Sequence, residues 1–184
     1  MTSSDVVDRL LAFQAVATGS LPAALVGTAG TAVETAGRAV ETAGRAVEPP
    51  AALGWATVEL DRAVRELGDT LGIRPERFAA SADSRFLGAR CRVAQAALPG
   101  RAALVVLEPA TEGRLAATLA RYGEGPAVIW LAVADLAHAV DVARAAGIAT
   151  SAGRDGPFGV ERLLGGPIHG PHRLLVSPPS TIRT

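Results

Sequence analysis

Two stretches of the chain read as versions of one unit. They are Leu53-Gly-Trp-Ala-Thr-Val-Glu-Leu-Asp-Arg-Ala-Val64 running on to Leu71-Gly72-Ile73, and Val128-Ile-Trp-Leu-Ala-Val-Ala-Asp-Leu-Ala-His-Ala-Val140 running on to Ala146-Gly147-Ile148. Each is a short apolar strand, a Glu/Asp-Leu helix start, an amphipathic helix and a Gly-Ile exit. Aligning the tryptophans pairs Trp55 with Trp130, Val58 with Val133 and Gly72-Ile73 with Gly147-Ile148. A strand–helix unit given twice predicts two similar half-domains that bury their sheets together, with a ligand cleft between them.

Outward from these units, the pattern from residue 51 is mixed α/β (α+β). Strands are predicted near 53–58, 88–97, 102–107, 127–133, 159–164 and 172–177, and helices near 60–71, 110–122 and 135–146. Residues 74–87 and 151–158, rich in Arg, Ser, Gly and Pro, read as loops or short edge strands. Before this region, residues 4–18 make a short amphipathic helix with Ser4 as N-cap and Val6, Val7, Leu10, Leu11 and Phe13 on its apolar side. Residues 28–48 repeat Thr-Ala-Gly-(Thr/Arg)-Ala-Val-Glu three times. In a helix, Glu34–Arg38 and Glu41–Arg45 would pair at i, i+4. Gly30, Gly37 and Gly44 would each cost about 1 kcal/mol there, so the tract is either a marginally helical, expanded linker or a helix packed on the main domain or on a partner subunit. The organisation expected is therefore 1–50, helix plus heptad linker; 51–178, the repeated domain; 179–184, a tail.

Bulk properties narrow the function. The 184 residues are 49% hydrophobic, with 18 basic and 18 acidic side chains. Zero net charge and the lack of a basic cluster argue against nucleic acid as a partner. Every basic side chain is arginine, so no lysine Schiff base or phosphate-loop lysine can form. The single cysteine, Cys91, excludes an internal disulfide and suits a reducing cytoplasm. No apolar run reaches the length of a membrane span, and Asp5 and Asp8 without a basic segment predict no secretory signal.

The stretch Leu107-Glu-Pro-Ala-Thr-Glu-Gly-Arg-Leu-Ala-Ala-Thr-Leu-Ala-Arg-Tyr-Gly-Glu-Gly-Pro126, leading into Val128-Ile-Trp-Leu-Ala-Val-Ala-Asp-Leu136, carries a family resemblance. With the strand–helix–three-strand order given twice, it resembles the vicinal oxygen chelate superfamily of glyoxalases and bleomycin-resistance proteins. Over 107–135 it is most similar to the methylmalonyl-CoA epimerase subgroup. The resemblance covers about 51–178 and implies paired βαβββ half-domains, often dimeric, with a divalent metal held by one donor on each of four cleft strands. By position those donors fall on Leu53 (or Ala52), Ala89, Val128 and Leu174, none of which can ligate a metal. The expectation is a protein without metal or other cofactor.

Period-2 alternation then names what shares the cleft face with the lost donors. Trp55 and Trp130 would face one another across it, either holding a flat ligand or filling the vacated space. Cys91, Val93 and Gln95 continue from Ala89, and His172 and Val176 flank Leu174. The candidate ligand-binding set is thus Trp55, Trp130, Cys91, Gln95 and His172, and the candidate bases are His172 and Glu161. His138 reads as a partly exposed helix residue, and Cys91 as a buried strand thiol. Arg85, Arg90 and Arg92 could meet an anion, or form a solvated face. The function expected is capture of a hydrophobic or aromatic small molecule between the half-domains of a cytoplasmic homodimer. The alternative is a metal-independent isomerase, lyase or cyclase acting on an acyl thioester or natural-product intermediate.

Overall fold

The computed structural model describes residues 2–19, 21–22, 25, 52–98, 102–110 and 112–177; the heptad tract and the tail 179–184 lie outside them. Helix α1 spans Ser3–Gly19. The repeated region follows as β1 (Ala52–Ala56), α2 (Leu60–Leu71), β2 (Phe78–Ala80), β3 (Ala89–Ala94), β4 (Ala103–Pro109), α3 (Arg114–Tyr122), β5 (Gly125–Ala132), α4 (Leu136–Ala145), β6 (Arg154–Gly156), β7 (Gly159–Leu163) and β8 (His172–Val176). The two segments expected as loops or short edge strands each contain a short edge strand, β2 and β6.

All eight strands form one sheet in the order β2-β3-β4-β1-β5-β8-β7-β6. β1 pairs parallel with β4, and β5 parallel with β8, while β1 and β5 meet antiparallel at the centre. The order is a palindrome of two βαβββ halves, as the repeat predicts. The halves do not merely pack on one another. They share a backbone ladder, Ala52 opposite Trp130 and Gly54 opposite Val128.

The helix signals act as read. α2 ends on Gly72 in the left-handed region at φ 68°, with the Ile73 amide donating to the Gly68 carbonyl. α4 begins on Asp135, whose Oδ1 accepts from the His138 amide at 3.0 Å. Its counterpart Glu59 makes no such bond. Instead Glu124 Oε1 accepts from the Val58 amide at 2.9 Å and Glu108 Oε2 from the Leu60 amide at 3.2 Å. These carboxylates, brought from the second strand-and-turn region, satisfy the donors at that helix start. Helix α1 is capped by Thr2, not Ser4: the Asp5 amide donates to Thr2 Oγ1 and the Thr2 amide to Asp5 Oδ2. That reciprocal pair moves the cap two residues earlier. Its buried side chains are Val6, Leu10 and Ala17, whereas Leu11 is exposed. No helix among the described residues is long and apolar enough to cross a membrane.

Two apolar cores lie on opposite faces of the sheet. On the outer face α1, α2 and α4 cover Leu53, Trp55, Leu104, Val106, Ile129, Leu131 and Leu175. On the inner face of the curl, Ala52, Ala56, Ala89, Cys91, Val93, Val105, Leu107, Val128, Trp130, Leu174 and Val176 pack with Leu115 and Leu119 of α3. The close approach at the centre depends on Gly54. A Cβ there would lie 2.7 Å from Leu107 Cδ1, 2.8 Å from Trp130 Cζ3 and 2.9 Å from Val128 Cβ. Gly54→Ala therefore overpacks a buried seam, and the expected loss is about 1–3 kcal/mol, read as a lower urea midpoint. An unchanged midpoint would contradict the packing at that position.

Candidate active site

The tryptophans do not face each other. Trp130 belongs to the inner core and Trp55 to the outer one, under Arg9, whose guanidinium carbon lies 4.9 Å from the Trp55 ring centroid. The cause is one residue of register. Counted back from the helix starts Leu60 and Leu136, the repeat is offset by 76 and not by 75, so Gly54 and not Trp55 is the counterpart of Trp130. Burial agrees: Thr57 and Val133 are both 0% exposed, whereas Val58 is 65% exposed. A slip of one residue turns a strand's side chains to the other face. The same correction selects Ala52 over Leu53 as the first-strand position. Ala52, Ala89, Val128 and Leu174 do share the inner core.

Gln95 also leaves the site, because β3 ends at Ala94 and Gln95 is exposed, its carbonyl accepting from Arg77. Cys91 is placed as expected on the inner face. Its thiol is pushed up to about 12 by burial, with the negative charges of Glu161 and Asp83 adding to the effect, so it is not a nucleophile at neutral pH. His138 is exposed on α4.

Glu161 is the group around which the inner face is organised. It is 0% exposed. Its Oε1 accepts from Trp130 Nε1 at 2.6 Å and its Oε2 from Ser84 Oγ at 3.0 Å. Room for the carboxyl comes from Gly156 on β6, where any Cβ would collide with it. Phe158 stands edge-on to Trp130, ring centroids 5.6 Å apart at 71°. Burial raises the Glu161 carboxyl to about 7, and the hydrogen bonds from Trp130 and Ser84 hold it from going higher. A carboxyl poised near neutrality has the acidity a general base needs.

Ser84 comes from the segment between β2 and β3, at the far edge of the sheet from β6 and β7. Its bond to Glu161 therefore closes the curl. The Arg85 amide donates to the Asp155 carbonyl at 3.5 Å, and the Arg154 guanidinium carbon sits 5.6 Å from the Phe86 ring centroid along the same seam. The sequence gives no sign of Ser84's role, since it is one serine in a polar segment whose partner lies 77 residues away.

His172 and Glu161 are both buried but do not form one site. Glu161 pairs with Val176 at the end of β8, four residues from His172, or about 13 Å along a strand. At the other end His172 Nε2 lies 2.9 Å from Thr118 Oγ1, which itself donates to the Arg114 carbonyl at 2.9 Å. With the hydroxyl proton committed there, the imidazole Nε2–H is the donor to Thr118. Burial, then the nearby Arg114 charge, push the ring down to about 4. It is neutral at pH 7. Among the described residues no group of three or more His, Cys, Asp or Glu is arranged to hold a metal ion.

The structure is thus a mixed α/β protein of paired βαβββ halves with an added N-terminal helix, consistent with the vicinal oxygen chelate fold. A scan against protein-family models finds no match, and a search of curated proteins finds no relative. Solved structures do match. Methylmalonyl-CoA epimerase from Mycobacterium tuberculosis superposes with a TM-score of 0.59 at 22% identity, covering 70% of this chain and 87% of that one. A methylmalonyl-CoA epimerase in complex with methylmalonyl-CoA and NH4+ gives 0.59 at 23% identity, covering 71% and 94%. A protein from Bacillus halodurans C-125 gives 0.60 at 15% identity, covering 74% and 98%. These likenesses establish the fold.

The two buried groups impose opposite pH slopes on stability. Glu161, raised from 4.5 to about 7, favours the fold below pH 4.5 and loses that contribution as pH rises toward 7, because the unfolded chain ionises first. His172, lowered from 6.5 to about 4, favours it above pH 6.5 and loses that contribution as pH falls toward 4. The slopes nearly cancel in the wild type. Glu161→Gln leaves the His172 slope alone, so its stability should rise relative to wild type by on the order of 3 kcal/mol between pH 4.5 and 7. Urea titrations across that window read the difference, and parallel curves for the two proteins would refute the Glu161 assignment.

Proposed function

We propose that this protein is a metal-independent acid–base enzyme of the vicinal oxygen chelate type, an isomerase or lyase acting on an acyl thioester. The carrying observation is Glu161, a carboxylate wholly buried on the inner face, gripped by Trp130 and Ser84 and raised to about 7. An unpaired carboxylate in an apolar core is costly. A dedicated indole donor, a dedicated hydroxyl donor and a glycine cradle supporting a neutral-range pKa are what a proton-transfer site requires. The four positions that the family resemblance assigns to metal donors hold Ala52, Ala89, Val128 and Leu174, which offer no donor atoms. The residues present do not fit the metal, and no step is assigned to one. That solved epimerases of this fold are described with CoA thioesters supports the choice of substrate class.

In this reading the Glu161 carboxylate takes the proton from the carbon beside the thioester carbonyl. The C–H bonding pair moves into the carbonyl to form an enolate, and return of the proton to carbon completes one cycle. Ser84, released from Glu161 as the carboxyl is protonated, is the hydroxyl available to the enolate oxygen. Because Ser84 and Glu161 are both sealed, substrate entry requires the seam between 83–88 and the β6–β7 hairpin to part. The aromatic-ligand reading keeps one support, the edge-to-face Trp130–Phe158 pair on the same face, but loses Trp55.

Acyl-CoA thioesters incubated with the protein in deuterated water should take up deuterium at the α-carbon, followed by mass spectrometry. Glu161→Gln should reduce exchange at least about 100-fold, and the wild-type rate should climb with pH through about 7 as the base ionises. Wild-type protein that exchanges no thioester of the series would end the enzymatic reading. A change in Trp130 fluorescence without exchange would return the function to ligand capture.

A further inference from the structure

The seam that closes over Glu161 carries a groove on its other side. It is lined by Arg85, Gly153, Arg154, Asp155 and Val160 and encloses about 270 Å³. Arg85 is the residue after Ser84, and Val160 the residue before Glu161. The groove is thus built from the immediate chain neighbours of Ser84 and Glu161, about 3.8 Å along the backbone on each side. Strand alternation explains the arrangement on β7, where Glu161 points into the core and Val160 is half-exposed to the groove.

Its charge comes from two arginines, Arg85 and Arg154. Neither Arg85 nor Arg154 has a carboxylate within ion-pair distance among the described residues, although Asp155 lies on the same rim. Arg154 instead lies over the Phe86 ring, its guanidinium carbon 5.6 Å from the centroid. One guanidinium comes from each half of the fold. An anion bridging them would therefore bind to the seam as a whole.

We infer that this groove is an anion subsite, in which Arg85 and Arg154 bind a carboxylate or phosphate group of the ligand. Guanidinium forks suit the paired oxygens of either anion. The inference rests on the proposed function only in making that anion part of the substrate; anion binding stands or falls separately. As part of the substrate, the anion would draw the two sides of the seam together again after entry and select against thioesters that lack the charge.

The test titrates the full chain with malonate and, separately, with inorganic phosphate, by isothermal calorimetry at low and at 0.5 M salt. Saturable 1:1 binding is expected, weakening with salt and falling at least about 10-fold in Arg85→Ala/Arg154→Ala. Asp155→Asn, which removes the competing charge, should tighten it several-fold, an outcome misfolding cannot imitate. Malonate binding tighter than phosphate assigns the carboxylate, and the reverse assigns phosphate. Binding of neither anion, or binding indifferent to both the double variant and Asp155→Asn, overturns the subsite. Deuterium exchange on the same proteins separates the two ideas. Anion binding without exchange leaves the subsite and removes the enzymatic reading. Exchange equally fast on charged and uncharged thioesters, and unchanged in the double variant, leaves the enzymatic reading and removes the anion from the substrate.

Discussion

The antiparallel contact of β1 with β5 is the constraint on which the rest of the molecule depends. It converts two small half-sheets into one eight-stranded curl, and it places Ala52 opposite Trp130 and Gly54 opposite Val128 at the pseudo-twofold axis. A space this narrow admits one indole. Trp130 takes it, and the lack of a side chain at Gly54 is the condition for its doing so. With Trp130 fixed, its Nε1–H is aimed at Glu161, and the curl closes through Ser84 onto the same carboxyl. The steric allowance at the centre thus sets the electrostatics at the edge.

A buried carboxylate between two donors is a compromise between opposing terms. Desolvation favours the neutral acid, whereas the hydrogen bonds from Trp130 and Ser84 favour the anion. Neither wins outright, and the carboxyl settles near neutrality. His172 shows the one-sided case. Its bond to Thr118 can be made by the neutral ring, so burial and the Arg114 charge keep the proton off. Two buried ionisable groups on adjoining strands thereby take different fates. Only the one able to change charge near pH 7 is suited to moving protons.

Much of this was legible in the chain. The Glu59-Leu60 and Asp135-Leu136 helix starts, the Gly72-Ile73 and Gly147-Ile148 exits and the apolar runs between them predicted paired βαβββ halves. Alternation from Ala89 and Leu174 placed Cys91 and His172 on the inner face. The error at Trp55 came from aligning the most conspicuous residue type. Trp55 stands four residues before Glu59 but Trp130 five before Asp135, so counting from the caps would have assigned opposite faces. Gln95 lies off that face because β3 ends at Ala94 and period 2 ends with it. The Ser84–Glu161 bond was illegible, since it spans the whole sheet and depends on how far the curl closes. No local pattern encodes that curvature.

The register also shows how the two halves divide their work. Ala56 pairs with Leu107, which pairs with Cys91; Ala132 pairs with Val176, which pairs with Glu161. Cys91 and Glu161 are therefore equivalent positions. By the same count Ala52 corresponds to Val128, Gly54 to Trp130 and Ala103 to His172. At these four pairs the first half carries the smaller or less polar side chain, and the second half the bulk or the titratable group. A symmetric inner face would put a second indole beside Trp130, and a second carboxyl where Cys91 already feels the charge of Glu161. The first is excluded by volume, and the second would push one of the two acids out of the range useful at pH 7. The asymmetry follows from packing two copies of one unit around a common axis: one copy has to yield the space in which the other places its chemistry.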